Sequence, residues 1–198
     1  MKKHALAPLL LVVVIFVMSG CAPVSVSKID SGEHVIGERL SLTLPAAWNQ
    51  ISVQGQGPAR IWTLEGWPVD QLLVYSGVQG GAAIHATSET DDGKKVFRFR
   101  ASMEPDEIAA LFEGMLTRDG SGYRLRKIEP ASFGGHKGIR FEYDLTRRFD
   151  NAQVSGLAYA TVSRGELFAL VYMAPRLGFF PRHAPMVEGI MRSARVRE

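Results

Sequence analysis

The chain of 198 residues holds one cysteine, Cys21, directly after Met18-Ser19-Gly20 at the end of an apolar run. With no second thiol, no disulfide can form within the chain and no thiolate cage can hold a metal, so whatever folds after Cys21 is stabilised by packing. Ahead of it, Lys2 and Lys3, the apolar stretch from Ala5 to Met18 and the small pair Ser19-Gly20 follow the charged, apolar, small order of a secretory signal. An uncleaved span needs about 20 apolar residues. Here Ser19-Gly20 ends the run first, and residues 1–20 are expected to be removed. The remaining 178 residues suit one domain with a real core. Their loss takes Lys2 and Lys3 but no acid, so the formal charge falls from +3 to +1. A chain this balanced lacks the basic stripe that nucleic-acid binding demands.

A conventional signal would leave Cys21 as an odd free thiol in an oxidising compartment. Met18-Ser19-Gly20-Cys21 instead resembles the box of bacterial lipoproteins, with methionine where leucine is commonest, and that resemblance implies a diacylglyceryl group on Cys21 as the first mature residue. Each buried methylene of such a lipid contributes about 0.8 kcal/mol, so two or three chains hold a protein on a membrane almost permanently. An aspartate after the lipidated cysteine resembles the inner-membrane retention signal. Residue 22 is alanine, which points to the outer membrane with the domain facing the periplasm. The expected partners are therefore the membrane, through Cys21, and an envelope protein.

Ala22 to Gly32 is small and polar, without apolar periodicity, and residues 21–37 read as a tether before a globular domain over 38–198. Arg39 to Leu44 alternates with period two as a strand does, Pro45 stops it, and Trp48 is expected to pack over the sheet end. Further extended stretches run from Ile51 to Leu64, broken by Gly55-Gln56-Gly57-Pro58, and from Leu72 to Val78. Gly80 to Lys95 turns to Gly, Ser, Thr and Asp and reads as a long surface loop. Val96 to Arg100 resumes alternation. The clearest helix follows, with Pro105 suited to the first position, Asp106 and Glu107 complementing the dipole, and Ile108, Leu111, Phe112, Met115 and Leu116 at helical spacing.

Four strands are expected after it, over Tyr123–Ile128, Gly138–Thr146, Val154–Ser163 and Leu167–Ala174, with Arg164-Gly165-Glu166 tight enough for a hairpin. A last helix over about Pro181–Ser193 presents Ala184, Val187, Ile190 and Met191, with Pro185 in its first turn. Two singly striped helices and six or seven strands predict an α+β fold, a single layered domain in which an antiparallel sheet is flanked by helices. Leu44-Pro45 before Trp48, the Pro105-Asp106-Glu107 opening, the Gly138 to Asp144 strand and the ending from Phe179-Phe180-Pro181 to Ile190-Met191-Arg192-Ser193 together resemble the PsbP-like superfamily. That superfamily includes an extrinsic photosystem II subunit and bacterial lipoproteins of the DcrB type. The resemblance implies a PsbP-like α/β/α sandwich and a non-catalytic role in protein binding or envelope assembly. It carries no catalytic residues over. Ile61-Trp62-Thr63-Leu64-Glu65-Gly66 also resembles a group of bacterial lipoproteins.

Few residues suggest chemistry. His34, His85, His136 and His183 have no second ligand at helical or strand spacing, so no metal is expected and the four read as exposed. Gly120-Ser121-Gly122 follows a helix and precedes a strand, the reverse of a nucleophile elbow. Gly80-Gly81 lacks the Lys-Ser/Thr ending of a phosphate loop. Asp91-Asp92 reads as a solvated turn, and Arg140, Glu142 and Asp144 as charges on the wet side of a strand. No catalytic residue and no cofactor is expected. The surface that could make contacts is Trp67 together with Arg124, Arg126, Arg147 and Arg148, near which an acidic partner or anionic head groups would sit. A groove between sheet and helices, roofed by residues 80–95, would instead suit a small or lipidic ligand, and a serine or acid beside a histidine in a cleft would indicate a hydrolase.

Overall fold

A computed structural model describes residues 24–87 and 95–197. Cys21, the signal segment and Asp91-Asp92 therefore lie outside the described residues. In chain order the elements are β1 (Ser25–Ile29), β2 (Gly32–Ile36), β3 (Leu40–Leu44), β4 (Trp48–Ser52), β5 (Arg60–Thr63), β6 (Gln71–Gln79), α1 (Pro105–Leu116), β7 (Gly122–Phe133), β8 (His136–Thr146), β9 (Gln153–Ser163), β10 (Glu166–Pro175), α2 (Phe179–Ser193) and β11 (Arg195–Val196). Eight strands form one antiparallel sheet in the order β1-β4-β5-β6-β10-β9-β8-β7, and β11-β3-β2 form a second, small sheet. The fold is α+β, a large antiparallel sheet with a helix on either face.

The central strand explains the layering. Every residue of β10 from Glu166 to Ala174 is buried, because its two faces feed two cores. On one face Leu167, Ala169, Val171 and Met173 join Leu73, Tyr75, Phe141 and Tyr143 beneath Ile108, Leu111 and Phe112 of α1. On the other, Phe168, Leu170, Tyr172 and Ala174 join Val187, Ile190 and Met191 of α2 and Leu40, Leu42 and Leu44 of the small sheet. Phe112 is the keystone of the first core, edge-on to Tyr75 with centroids 5.5 Å apart and 6.0 Å from Phe141. The Glu104 backbone N–H donates to the Glu107 carboxylate at 3.0 Å and starts α1 where Pro105 is tolerated. Arg164 and Gly165 both take positive φ, the geometry of a tight hairpin between β9 and β10.

Several expectations need correction. The described part of the expected tether over 21–37 forms two strands instead: β1 pairs with β4 from Ser25↔Ser52 to Ile29↔Trp48, and β2 pairs with β3. Edge strands expose one side of the ladder, so their residues need not be apolar, and the polar run SVSKI hid a strand. For the same reason the sheet has eight strands rather than six or seven. Trp48 opens β4 in the second core, 1% exposed, instead of capping the sheet. β7 runs on to Phe133 through Pro130, which an edge strand accepts because one side of its ladder is unpaired. Pro185 lies past the first turn of α2, because the helix already begins at Phe179. Val96 to Arg100 forms no long strand, although the Phe99 N–H donates to Ala82 O and the Ile84 N–H to Phe97 O. That short ladder ties residues 81–84 down and buries Ile84 completely, so this part of the expected surface loop belongs to the core.

Candidate functional site

At one end of the large sheet, β5 stops at Thr63 and β6 restarts at Gln71, leaving a loop that is held by a single buried carboxylate. Asp70 is fully buried. It accepts the Thr63 hydroxyl at 2.6 Å, the Glu65 N–H at 2.8 Å and the Leu64 N–H at 3.1 Å, while Thr63 Oγ1 accepts the Gly66 N–H at 2.9 Å. Four backbone and side-chain donors are thereby satisfied inside one turn. The loop presents Trp67, 47% exposed, through a cis peptide bond to Pro68.

The loop between β8 and β9 lies beside it. Arg147 Nη1 donates to Pro68 O at 2.6 Å, Nη2 and Nε donate to the two oxygens of Asp150 at 2.7 and 3.2 Å, and the guanidinium sits 4.9 Å from the Phe149 ring centroid. Phe149 is 68% exposed. The Arg176 N–H donates to Gln153 O at 2.8 Å, which brings the turn carrying Leu177, 83% exposed, to the same end. Trp67, Phe149 and Leu177 thus converge from three loops separated by up to 110 residues in sequence.

Of the expected contact residues, Trp67 and Arg147 are brought together, and Arg148 is close by, its N–H donating to Ser121 Oγ at 3.1 Å and its Nη1 to Asp119 O at 3.3 Å. Arg124 and Arg126 do not extend the patch as free charge. They lie on β7, and both donate to Asp144 Oδ2, at 2.8 and 3.0 Å. Burial alone would raise the Asp144 carboxyl. Arg124, Arg126 and the Ser155 hydroxyl outweigh it and hold that carboxyl below its ordinary value. Next along the face, Arg140 is far from a wet-side charge: Nη1, Nη2 and Nε reach Glu129, Glu142 and Glu188 at 3.0, 2.6 and 3.0 Å. Burial likewise would raise Glu188, but the Tyr159 hydroxyl, Arg192 and Arg140 lower it. Sequence spacing missed Asp70, whose donors lie across a loop, and Glu188 and Tyr159, which meet each other and Arg140 from separate elements.

The remaining chemical candidates resolve into structural contacts. His183 lies 2.7 Å from Glu65 and His34 2.7 Å from Asp30 O, and all four histidines are half-buried rather than exposed because each touches a polar partner. His136 Nε2 is 3.4 Å from Ser163 Oγ, a cross-strand pair on β8 and β9. Among the described residues no carboxylate bonds that imidazole, so the pair lacks the orienting third group of a hydrolytic triad. No three His, Cys, Asp or Glu side chains among them gather as a metal site, and no helix is long and apolar enough to cross a membrane. On the α1 face, an open cleft of about 250 Å³ lies among Ala59, Ile61, Leu73, Ile84 and Met115, rimmed by the uncharged turn Val53 to Gly57. Gly57 permits this wall, since a Cβ there would meet the backbone of His85 and Ala86.

No family model and no curated protein matches the chain. Solved structures do. Cyanobacterial PsbP (CyanoP) from Synechocystis sp. PCC 6803 superposes with a TM-score of 0.56 at 17% identity, over 91% of this chain and 96% of that one. PA94, a Pseudomonas aeruginosa protein of unknown function, gives 0.49 at 13% identity over 86% and 99%. LpqN of Mycobacterium tuberculosis, involved in cell envelope biogenesis, gives 0.40 at 9% over 88% and 92%. The last two fall below the level at which such likeness carries weight, and at 17% identity the first speaks for architecture and not for chemistry. The chain has the PsbP-like fold.

Proposed function

We propose that this protein is a lipid-anchored module of the bacterial envelope, probing the periplasm from the outer membrane, and that it acts by contact with another envelope protein rather than by catalysis. The observation that carries the contact role is the convergence of Trp67, Phe149 and Leu177, three large exposed apolar side chains on loops fixed by Asp70 and Arg147. Apolar side chains clustered on a rigid rim, with tryptophan and arginine among them, are the composition of binding hot spots. Arg176, exposed beside Leu177, adds positive charge and favours an acidic partner.

The anchor reading rests on Met18-Ser19-Gly20-Cys21, and the direction of β1 fits it. β1 runs from Ser25, paired with Ser52, to Ile29, paired with Trp48, toward the Trp67 end of the sheet. A chain tied to a membrane at Cys21 would therefore hold that end away from the lipid. A photo-reactive amino acid at position 149, in cells making the full chain, tests the contact role. The expected result is a discrete protein adduct that Trp67→Ala abolishes and that is missing when the probe sits at position 26. Lack of an adduct, or one insensitive to Trp67→Ala, removes it. An unmodified sulfur on Cys21, seen by mass spectrometry of the exported chain, removes the anchor.

A further inference from the structure

Antiparallel register lays one apolar row across the edge of the large sheet. Val26 on β1 stands opposite Ile51 on β4, Ile51 opposite Ile61 on β5, and Ile61 opposite Leu73 on β6. Directly opposed residues share a face. The row therefore begins at Val26, 62% exposed on the edge strand, and ends at Ile61 and Leu73, the floor of the α1-face cleft. Ala59, Ile84 and Met115 wall the cleft, and the Tyr75 hydroxyl is turned to Ile84 O at 3.0 Å. Among the described residues its rim, Val53-Gln54-Gly55-Gln56-Gly57 with His85 and Ala86, bears no acid, lysine or arginine. Ser25 pairs with Ser52, the residue before this rim. Three residues lie between Cys21 and Ser25, so the four steps from one to the other reach about 14 Å at full extension.

We infer that the cleft of Ala59, Ile61, Leu73, Ile84 and Met115 binds a single acyl chain of a membrane lipid, entering past the Val53–Gly57 rim. This rests in part on the anchor reading, which puts the mouth of the cleft at the membrane. About 250 Å³ is smaller than the roughly 300–1,000 Å³ of ordinary ligand pockets, which favours one slender chain over a bulky ring system. An apolar lining with an uncharged rim selects hydrocarbon and leaves the head group outside. Val26, 62% exposed, continues the apolar face of Ile51 and Ile61 onto an edge strand, where a charge would better guard the edge.

The full chain, purified from membranes and reconstituted in phosphatidylethanolamine vesicles doped with a phospholipid bearing a diazirine at the acyl end, tests this. Irradiation is expected to label residues of 53–61, 84–86 or Met115. Ala59→Trp, which fills the cleft, and Ile61→Gln, which makes its floor polar, should each cut that labelling at least fivefold while the thermal unfolding curve is kept. Label confined to Val24 and Val26, or cleft label unchanged in the variant that melts as the parent does, overturns the inference. Flotation with vesicles but no cleft label leaves the anchor and removes the cleft. A diazirine-bearing palmitate, added without vesicles, separates the two readings in the other direction: cleft label there in a chain that does not float keeps the cleft and removes the anchor.

Discussion

Asp70 shows how one side chain can set a surface that it never reaches. Its carboxylate is fully buried, yet it fixes the turn that carries Trp67 into solvent. Asp70→Ala strands the buried Thr63 hydroxyl and the part-buried Leu64 and Glu65 amides, and should cost about 3 kcal/mol in urea unfolding. Asp70→Asn keeps one acceptor oxygen and should cost about 1 kcal/mol. Because the loop loosens in both, the adduct formed from position 149 should weaken in the order of the stability loss. Nothing in the local sequence singles out this aspartate among 20 acidic residues. Its donors lie five to seven positions away, on the far side of the loop. Trp67 itself was legible, since an aromatic before proline between two strands has no core to enter.

Among the elements, β1 carries the clearest test. As a tether, residues 25–29 could be replaced by a Gly-Ser sequence without consequence. As a strand paired over five positions with β4, they cover the β4 edge, and Ile29 packs on the second core. The replacement should lower the melting temperature by about 5 °C, which corresponds to roughly 2 kcal/mol for a domain of this size. An unchanged melt in scanning calorimetry would return the segment to the role of a tether. The helices and β8 were readable because each buries one whole face, which imposes a period of 3.6 or 2 on its residues, and β9 and β10 because burial on both faces leaves a nearly unbroken apolar run. β1 is 5 residues of mostly exposed edge, and burial imposes no period on it.

For the molecule as a whole, acid stability follows from the face shared by β7, β8 and α2. Asp144, Glu129 and Glu188 are held below their ordinary values, each by hydrogen bonds and charge from neighbouring cations, with burial of Asp144 and Glu188 working the other way. A carboxyl with a lowered folded-state value stabilises the fold fully above its ordinary range and loses that contribution as the pH falls through the lowered one. Urea unfolding should thus change little from pH 7 to about pH 5 and lose stability steadily toward pH 3. Arg140→Met, which removes the cation shared by Glu129, Glu142 and Glu188, should flatten that decline, and an equally steep one would refute the assignment. By itself the sequence determined the lone Cys21, both helices, the meander and the α+β class, since those features are written in local order and in burial periodicity. Only the tertiary structure decided that Trp67, Phe149 and Leu177 share one end, that Arg140 bridges three carboxylates and that Val26, Ile51, Ile61 and Leu73 stand in one row. Each of these is a meeting of side chains from separate strands, helices or the loops that strands align, fixed by sheet register, and register is a property of paired strands that no single segment carries.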